Sequence, residues 1–186
     1  MKLSLFPIVL GALAALPLSS CVTDNRHVME VSVPEQRMAL YRDGERIREY
    51  PVSTSKFGLG DQPNSNRTPM GAMRVAKKIG QGAVPGTVFK DRLPTGEVVA
   101  VNSPGRDPIV TRILWLEGTE PQNANAFGRY IYIHGTPEER TIGTPASYGC
   151  VRMRSRDIID LFQIVGRGAR VYVVNLPLLG PPEKRG

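Results

Sequence analysis

Between Tyr41 and Arg46 the chain reads Tyr-Arg-Asp-Gly-Glu-Arg, and the Asp43-Gly44 pair sits between two runs able to extend as strands. Both residues tolerate the positive φ angles of a two-residue hairpin, so this dipeptide commits the N-terminal region to an antiparallel pair. The rest of the sequence keeps to that style. Val31 and Val33 alternate with Ser32, and short β-branched or aromatic runs follow at Met73–Lys77, Val98–Asn102, Thr111–Glu117, Tyr130–His134 and Arg170–Val174. Turn-rich loops separate them, notably Lys56–Pro69 and Ser103–Pro108, and 16 Pro with 19 Gly suit many turns. The expectation is a mainly β domain with a sandwich or barrel core.

One helix is expected, near the C-terminus. Ile158, Leu161, Phe162 and Val165 follow i, i+3, i+4, i+7 spacing, with Ser155 placed as a cap, Asp157 in the first turn and Gly166 or Gly168 at the exit. Its apolar face is expected against the sheet. Residues 177–186, ending in Pro181-Pro182-Glu183-Lys184-Arg185-Gly186, read as a disordered tail.

The first twenty residues read as an export signal. One lysine, Lys2, precedes an apolar run from Leu5 to Leu18 that contains Pro7, Gly11 and Pro17. That run is shorter than the roughly 18 to 20 apolar residues a spanning helix needs. Leu18-Ser19-Ser20-Cys21 resembles the bacterial lipobox, which implies cleavage before Cys21 and a lipid on it. The domain scheme is then 1–20 signal, 21–27 lipidated tether, 28–176 catalytic domain and 177–186 tail. His27, in the tether, is expected to be solvated. The implied location is periplasmic and membrane-anchored, with the outer membrane favoured because Val22, not Asp, follows the cysteine.

Processing at Cys21 leaves about 166 residues, the size of one domain with its own core. It removes Lys2 and no acid, taking the net charge from +7 to +6. The basic residues are scattered along the chain, not clustered with aromatics, which argues against a nucleic-acid partner. Of 2 cysteines, a lipidated Cys21 leaves Cys150 without a disulfide partner. No CxxC or Cys/His cluster is present to hold a metal, and no cofactor is implied.

A lone thiol in an oxidising compartment is easier to explain by reactivity than by packing. With an ordinary pKa of about 8.5 it needs a base nearby. His134 is the candidate, carried at the end of the run Tyr130-Ile131-Tyr132-Ile133-His134-Gly135. Cys150 stands in Ser147-Tyr148-Gly149-Cys150-Val151-Arg152, where Gly149 lets a carbonyl approach closely. The N–H groups of Gly149 and Cys150 are the candidate oxyanion donors. Set against this, a single cysteine is commonly a small buried hydrophobe, and a single histidine commonly a structural group.

His134-Gly135-Thr136 followed by Ser147-Tyr148-Gly149-Cys150-Val151-Arg152 resembles the signature of the L,D-transpeptidase (YkuD-type) catalytic domain. The likeness extends upstream through Gln36–Tyr41, Ser53-Thr54-Ser55, Arg67-Thr68-Pro69-Met70-Gly71 and Thr111–Leu116, covering roughly residues 28 to 175. The resemblance implies Cys150 as nucleophile, His134 as general base and acid, and the Gly135 carbonyl as the group orienting the imidazole. It implies peptidoglycan stem peptides as substrates, D-alanine as the leaving group, and an amine of a second stem or of an envelope protein as acceptor. Tyr148 departs from the histidine that many members carry there. Tyr148, Ser147 and Arg152 are candidate substrate contacts, although Ser147 also suits a loop hydrogen-bonder and Arg152 a structural ion pair. Two other readings stay open: a carboxypeptidase or endopeptidase that uses water as acceptor, and a non-catalytic wall-binding lipoprotein.

Overall fold

A computed structural model describes residues 23–181. The sheet begins with β1 (His27–Ser32), β2 (Arg37–Arg42) and β3 (Glu45–Pro51). Asp43 and Gly44 turn at φ 52 and 84, as the Asp-Gly hairpin requires. There follow β4 (Gly71–Ile79), β5 (Thr87–Lys90), β6 (Leu93–Val98), β7 (Ile109–Gly118), β8 (Tyr132–Gly135), β9 (Val151–Met153), the helix α1 (Ser155–Ile164) and β10 (Arg170–Val174). The strands form one mixed sheet in the order β3-β2-β1-β10-β4-β7-β5-β6, with β8 and β9 branching from β7. Two pairs are parallel, β1 with β10 and β8 with β9.

The helix explains why the branch is stable. Ile158 and Leu161 are fully buried and Phe162 nearly so, in one core with Leu114, Leu116, Ile133 and Val151. Each fully buried aliphatic side chain contributes about 1.5–3 kcal/mol. The apolar stripe of α1 thus clamps β7, β8 and β9 from behind, and β8 and β9 carry the site.

Four local expectations are corrected. Val98–Asn102 is no strand: the β5–β6 hairpin ends at Val98, and Asn102 turns at φ 58 with its N–H on the Pro137 carbonyl, 2.7 Å away. The hairpin leaves no pattern in the sequence because all six residues of β6 are exposed, so no buried face imprints alternation on them. As an edge strand β6 tolerates Pro94 and Gly96. The run Tyr130–His134 enters the sheet only at Tyr132, since Tyr130 turns at φ 59. Ser155 is not the cap; Arg154 is, and the Ser155 N–H donates to the Glu139 carboxylate at 2.8 Å. His27 is not solvated: it opens β1, half-buried, with Nδ1 2.9 Å from the Asp24 carboxylate.

Asp24 also accepts the Gly166 N–H at 2.6 Å, which fastens the segment ahead of β1 to the end of α1. Leu178 packs against Val28, Ala39 and Tyr41 and donates its N–H to Glu35 at 2.8 Å. The expected signal peptide and Cys21, like residues 182–186 of the tail, lie outside the described residues.

Candidate active site

Parallel pairing of β8 with β9 sets Ile133 beside Val151 and His134 beside Arg152. Cys150, just ahead of β9, therefore falls next to Tyr132. The backbone there receives the sulfur: the Tyr132 N–H donates to Sγ at 3.4 Å, and Sγ–H reaches the Tyr130 carbonyl at 3.5 Å. Tyr132 and His134 are two residues apart on one face of β8, so about 7 Å of strand separates their positions.

His134 is 5% exposed. Its Nδ1 lies 2.8 Å from the Gly135 carbonyl, which can only accept, so Nδ1 carries the proton and Nε2 keeps its lone pair. Burial pushes the imidazole down to about 4, partly opposed by that carbonyl. Burial likewise pushes the Cys150 thiol up to about 11, opposed by the Tyr132 N–H and by the positive field of Arg129. Both shifts favour a neutral thiol and a neutral imidazole at pH 7.

The loop ahead of Cys150 is tied down by Ser147. Its buried hydroxyl donates to the Cys150 carbonyl at 2.6 Å and accepts the Gly149 N–H at 3.2 Å. Two expectations change as a result. Ser147 is a loop hydrogen-bonder and not a substrate contact, and the Gly149 N–H is already used, so it is not a free oxyanion donor. Among the described residues, the N–H groups of Tyr148 and Cys150 make no internal hydrogen bond and are the available donors. Gly149 itself sits at φ 117, with the Arg67 carbonyl 3.2 Å from where a Cβ would stand, so only glycine fits there without strain.

Arg152 is also reassigned. Its side chain is 5% exposed, is paired with Asp107, and reaches the Thr141 hydroxyl at 3.3 Å. A guanidinium so enclosed holds structure and presents no face to a substrate carboxylate. Tyr148 is 62% exposed, with Lys56 Nζ 2.9 Å from its hydroxyl and 4.3 Å from its ring centre, so it stands at the rim of the site.

Several residues of the site carry no sequence signal. Tyr130 and Tyr132 act through backbone atoms. Arg129 and Asp61, 2.9 Å apart and almost fully buried, join the loop before Pro69 to the turn before β8. Arg129 also donates to the carbonyls of Gly60 and Arg67, at 3.1 and 2.9 Å. Among the described residues no group of three or more His, Cys, Asp or Glu side chains is placed to hold a metal ion.

The profile of the YkuD L,D-transpeptidase catalytic domain matches residues 26–173. The chain belongs to this family. Probable L,D-transpeptidase YcfS of Escherichia coli (strain K12) is 26% identical over 181 residues, which is 95% of this chain and 53% of that protein. The chain thus spans about half the length of that L,D-transpeptidase relative. Among solved structures, an L,D-transpeptidase from Xylanimonas cellulosilytica aligns at TM-score 0.52 and 18% identity, over 82% of this chain and 62% of that one. L,D-transpeptidase 3 from Mycobacterium tuberculosis, in complex with a faropenem-derived adduct, aligns at 0.50 and 17%, over 80% and 60%. At such identities these two structures bear on the L,D-transpeptidase fold alone.

Proposed function

We propose that this chain is a cysteine-dependent L,D-transpeptidase acting on peptidoglycan stem peptides, with Cys150 as nucleophile and His134 as general base and acid. The observation that carries the reading is the pairing of β8 with β9: it sets a half-buried thiol beside a strand whose histidine has its Nδ1 proton fixed by Gly135.

In the first step Nε2 of His134 takes the thiol proton as Sγ attacks the carbonyl carbon of the third, L-centred residue. The neutral pair suits this order, because charge develops only during attack. The N–H groups of Tyr148 and Cys150 receive the oxyanion, and the Tyr132 N–H steadies the sulfur. Collapse breaks the peptide C–N bond, and the imidazolium returns its proton to the departing D-alanine amine. An amine of a second stem, or of an envelope protein, then attacks the thioester, and the thiol is regenerated.

The lipobox-like Leu18-Ser19-Ser20-Cys21 supports lipidation at Cys21 and a periplasmic domain tethered to a membrane, the outer one favoured.

Purified full-length protein is incubated with disaccharide-tetrapeptide beside Cys150→Ala, and products are separated by chromatography. A 3-3 cross-linked dimer formed only by the wild type supports the reading. Tripeptide without dimer transfers the assignment to a carboxypeptidase, and folded protein yielding neither product rejects the activity.

A further inference from the structure

The turn between β5 and β6 places an arginine where backbone chemistry disfavours it. Asp91 and Arg92 occupy the two central positions at φ 51 and 70, a geometry that Asn-Gly or Gly-Gly adopts at lower cost. A long side chain kept at such a position is worth a functional question. Arg92 turns inward over the nucleophile's surroundings. Its guanidinium lies 5.0 Å from the ring centre of Tyr130 and 5.2 Å from that of Trp115, within electrostatic reach of Tyr132. Tyr130 and Tyr132 are the residues whose backbone holds the Cys150 sulfur. Between the turn and the sheet lies a cleft of about 280 Å³, lined by Asp91, Arg92, Ile109, Ile113, Tyr130 and Tyr132.

The arginine is a cation without a carboxylate partner. Arg129 is paired with Asp61, Arg152 with Asp107 and Arg106 with Glu97, whereas Arg92 forms no ion pair among the described residues. Aromatic faces hold it in place and leave donors of its planar fork unused. Asp91 beside it is exposed and offsets part of its field. Lys56, a cation at the rim, already donates to Tyr148 and lies over the rings of Phe57 and Tyr148, and Lys77 lies over Trp115 and Phe127.

Resting on the activity proposed above, we propose that Arg92 is a carboxylate receptor of the donor site, setting the preference of Cys150 for acyl donors that carry a free carboxylate beside the scissile bond. A stem tetrapeptide offers such a group at its C-terminal D-residue, one residue length of about 3.8 Å from the reacting centre. The far end of a diaminopimelate side chain, several bonds from the scissile carbonyl, carries another. The shared chemistry is an anion that a guanidinium fork meets with two hydrogen bonds.

The test separates this inference from the activity itself. Cys150 in the full chain is alkylated with iodoacetate and, in parallel, with iodoacetamide, and its modification is followed by peptide mass spectrometry. The ratio of the two rates reads local anion attraction without requiring any transpeptidation. Arg92→Gln is expected to lower the ratio about fivefold, the upper end for one solvent-exposed charge pair, and the wild-type ratio alone should fall with added salt. Arg92→Gly, which relieves the positive φ, should lower it equally while keeping the melting temperature, so misfolding does not imitate the result. A ratio unchanged in both variants, or an effect found in Lys56→Gln instead, overturns the assignment. Where turnover is measurable, Arg92→Gln should raise KM for the free tetrapeptide and leave it unchanged for a donor amidated at the recognised carboxylate. Amidating the D-residue terminus and the diaminopimelate side chain separately shows which group is bound. Equal KM increases for free and doubly amidated donors would also overturn it.

Discussion

The backbone N–H of Tyr132 points at the sulfur of Cys150, 3.4 Å away. This contact belongs to neither a side-chain base nor an oxyanion hole, yet it is the strongest opposition to the burial that keeps the thiol protonated. It joins Cys150 to the strand that carries His134, so displacing β8 disturbs both groups together.

Thiol reactivity in the resting protein follows from that balance. With the thiol pushed up to about 11, alkylation of Cys150 by iodoacetamide should be slow at pH 7 and rise about tenfold per pH unit up to that value. Peptide-level rates from pH 6 to 11 check it. A plateau reached below pH 8 would mean a preformed thiolate and imidazolium.

Stability should respond to pH through His134. Its folded pKa, about 4, lies below the ordinary 6.5, so between those values the unfolded chain binds more protons than the folded one. The histidine's contribution is therefore complete above pH 6.5 and lost as pH falls toward 4, by roughly 3 kcal/mol over the window. Denaturant unfolding at pH 7.5 and 4.5 should show a wild-type loss larger than that of His134→Gln by an amount of that order. Equal losses would show that His134 is solvated.

Gly135 has no room for a side chain. An added Cβ would stand 2.7 Å from the Val110 carbonyl and 3.0 Å from Thr111 Cβ. Gly135→Ala should destabilise the domain by about 1–3 kcal/mol through overpacking. It should also lower kcat more than it raises KM, since the displaced carbonyl orients the imidazole. Unfolding curves paired with steady-state kinetics decide this.

Arg152 is expected to act on stability and not on substrate binding. Arg152→Gln removes the buried cation and leaves the partly exposed Asp107 without its partner, at a cost of about 1–2 kcal/mol. At a temperature where Arg152→Gln is folded, KM for tetrapeptide should match wild type. A large KM increase at full stability would return Arg152 to the substrate site.

These sites show where the sequence was legible and where it was not. The Asp43-Gly44 hairpin, the strands around Met73 and Thr111 and the helix about Ile158 announce themselves through turn chemistry and periodicity that tertiary packing then uses. His134 and Cys150 stand out because each is chemically rare in the chain and set in a glycine-rich context. Tyr132 cannot be read this way, because its contribution is a backbone N–H that every non-proline residue has. The parts played by Ser147 and Gly149 are hidden for a related reason: which amide is free depends on a hydroxyl two residues away. The β5–β6 hairpin stayed hidden because exposure on both faces erases alternation, and with it Arg92 went unnoticed.

The central claim, a thioester on Cys150, is tested most directly by intact-protein mass spectrometry after brief mixing with disaccharide-tetrapeptide. The predicted result is an added mass equal to the substrate less D-alanine, mapped to Cys150 and absent from Cys150→Ala. Folded wild-type protein that gains no mass, or an adduct that persists in Cys150→Ala, would contradict it.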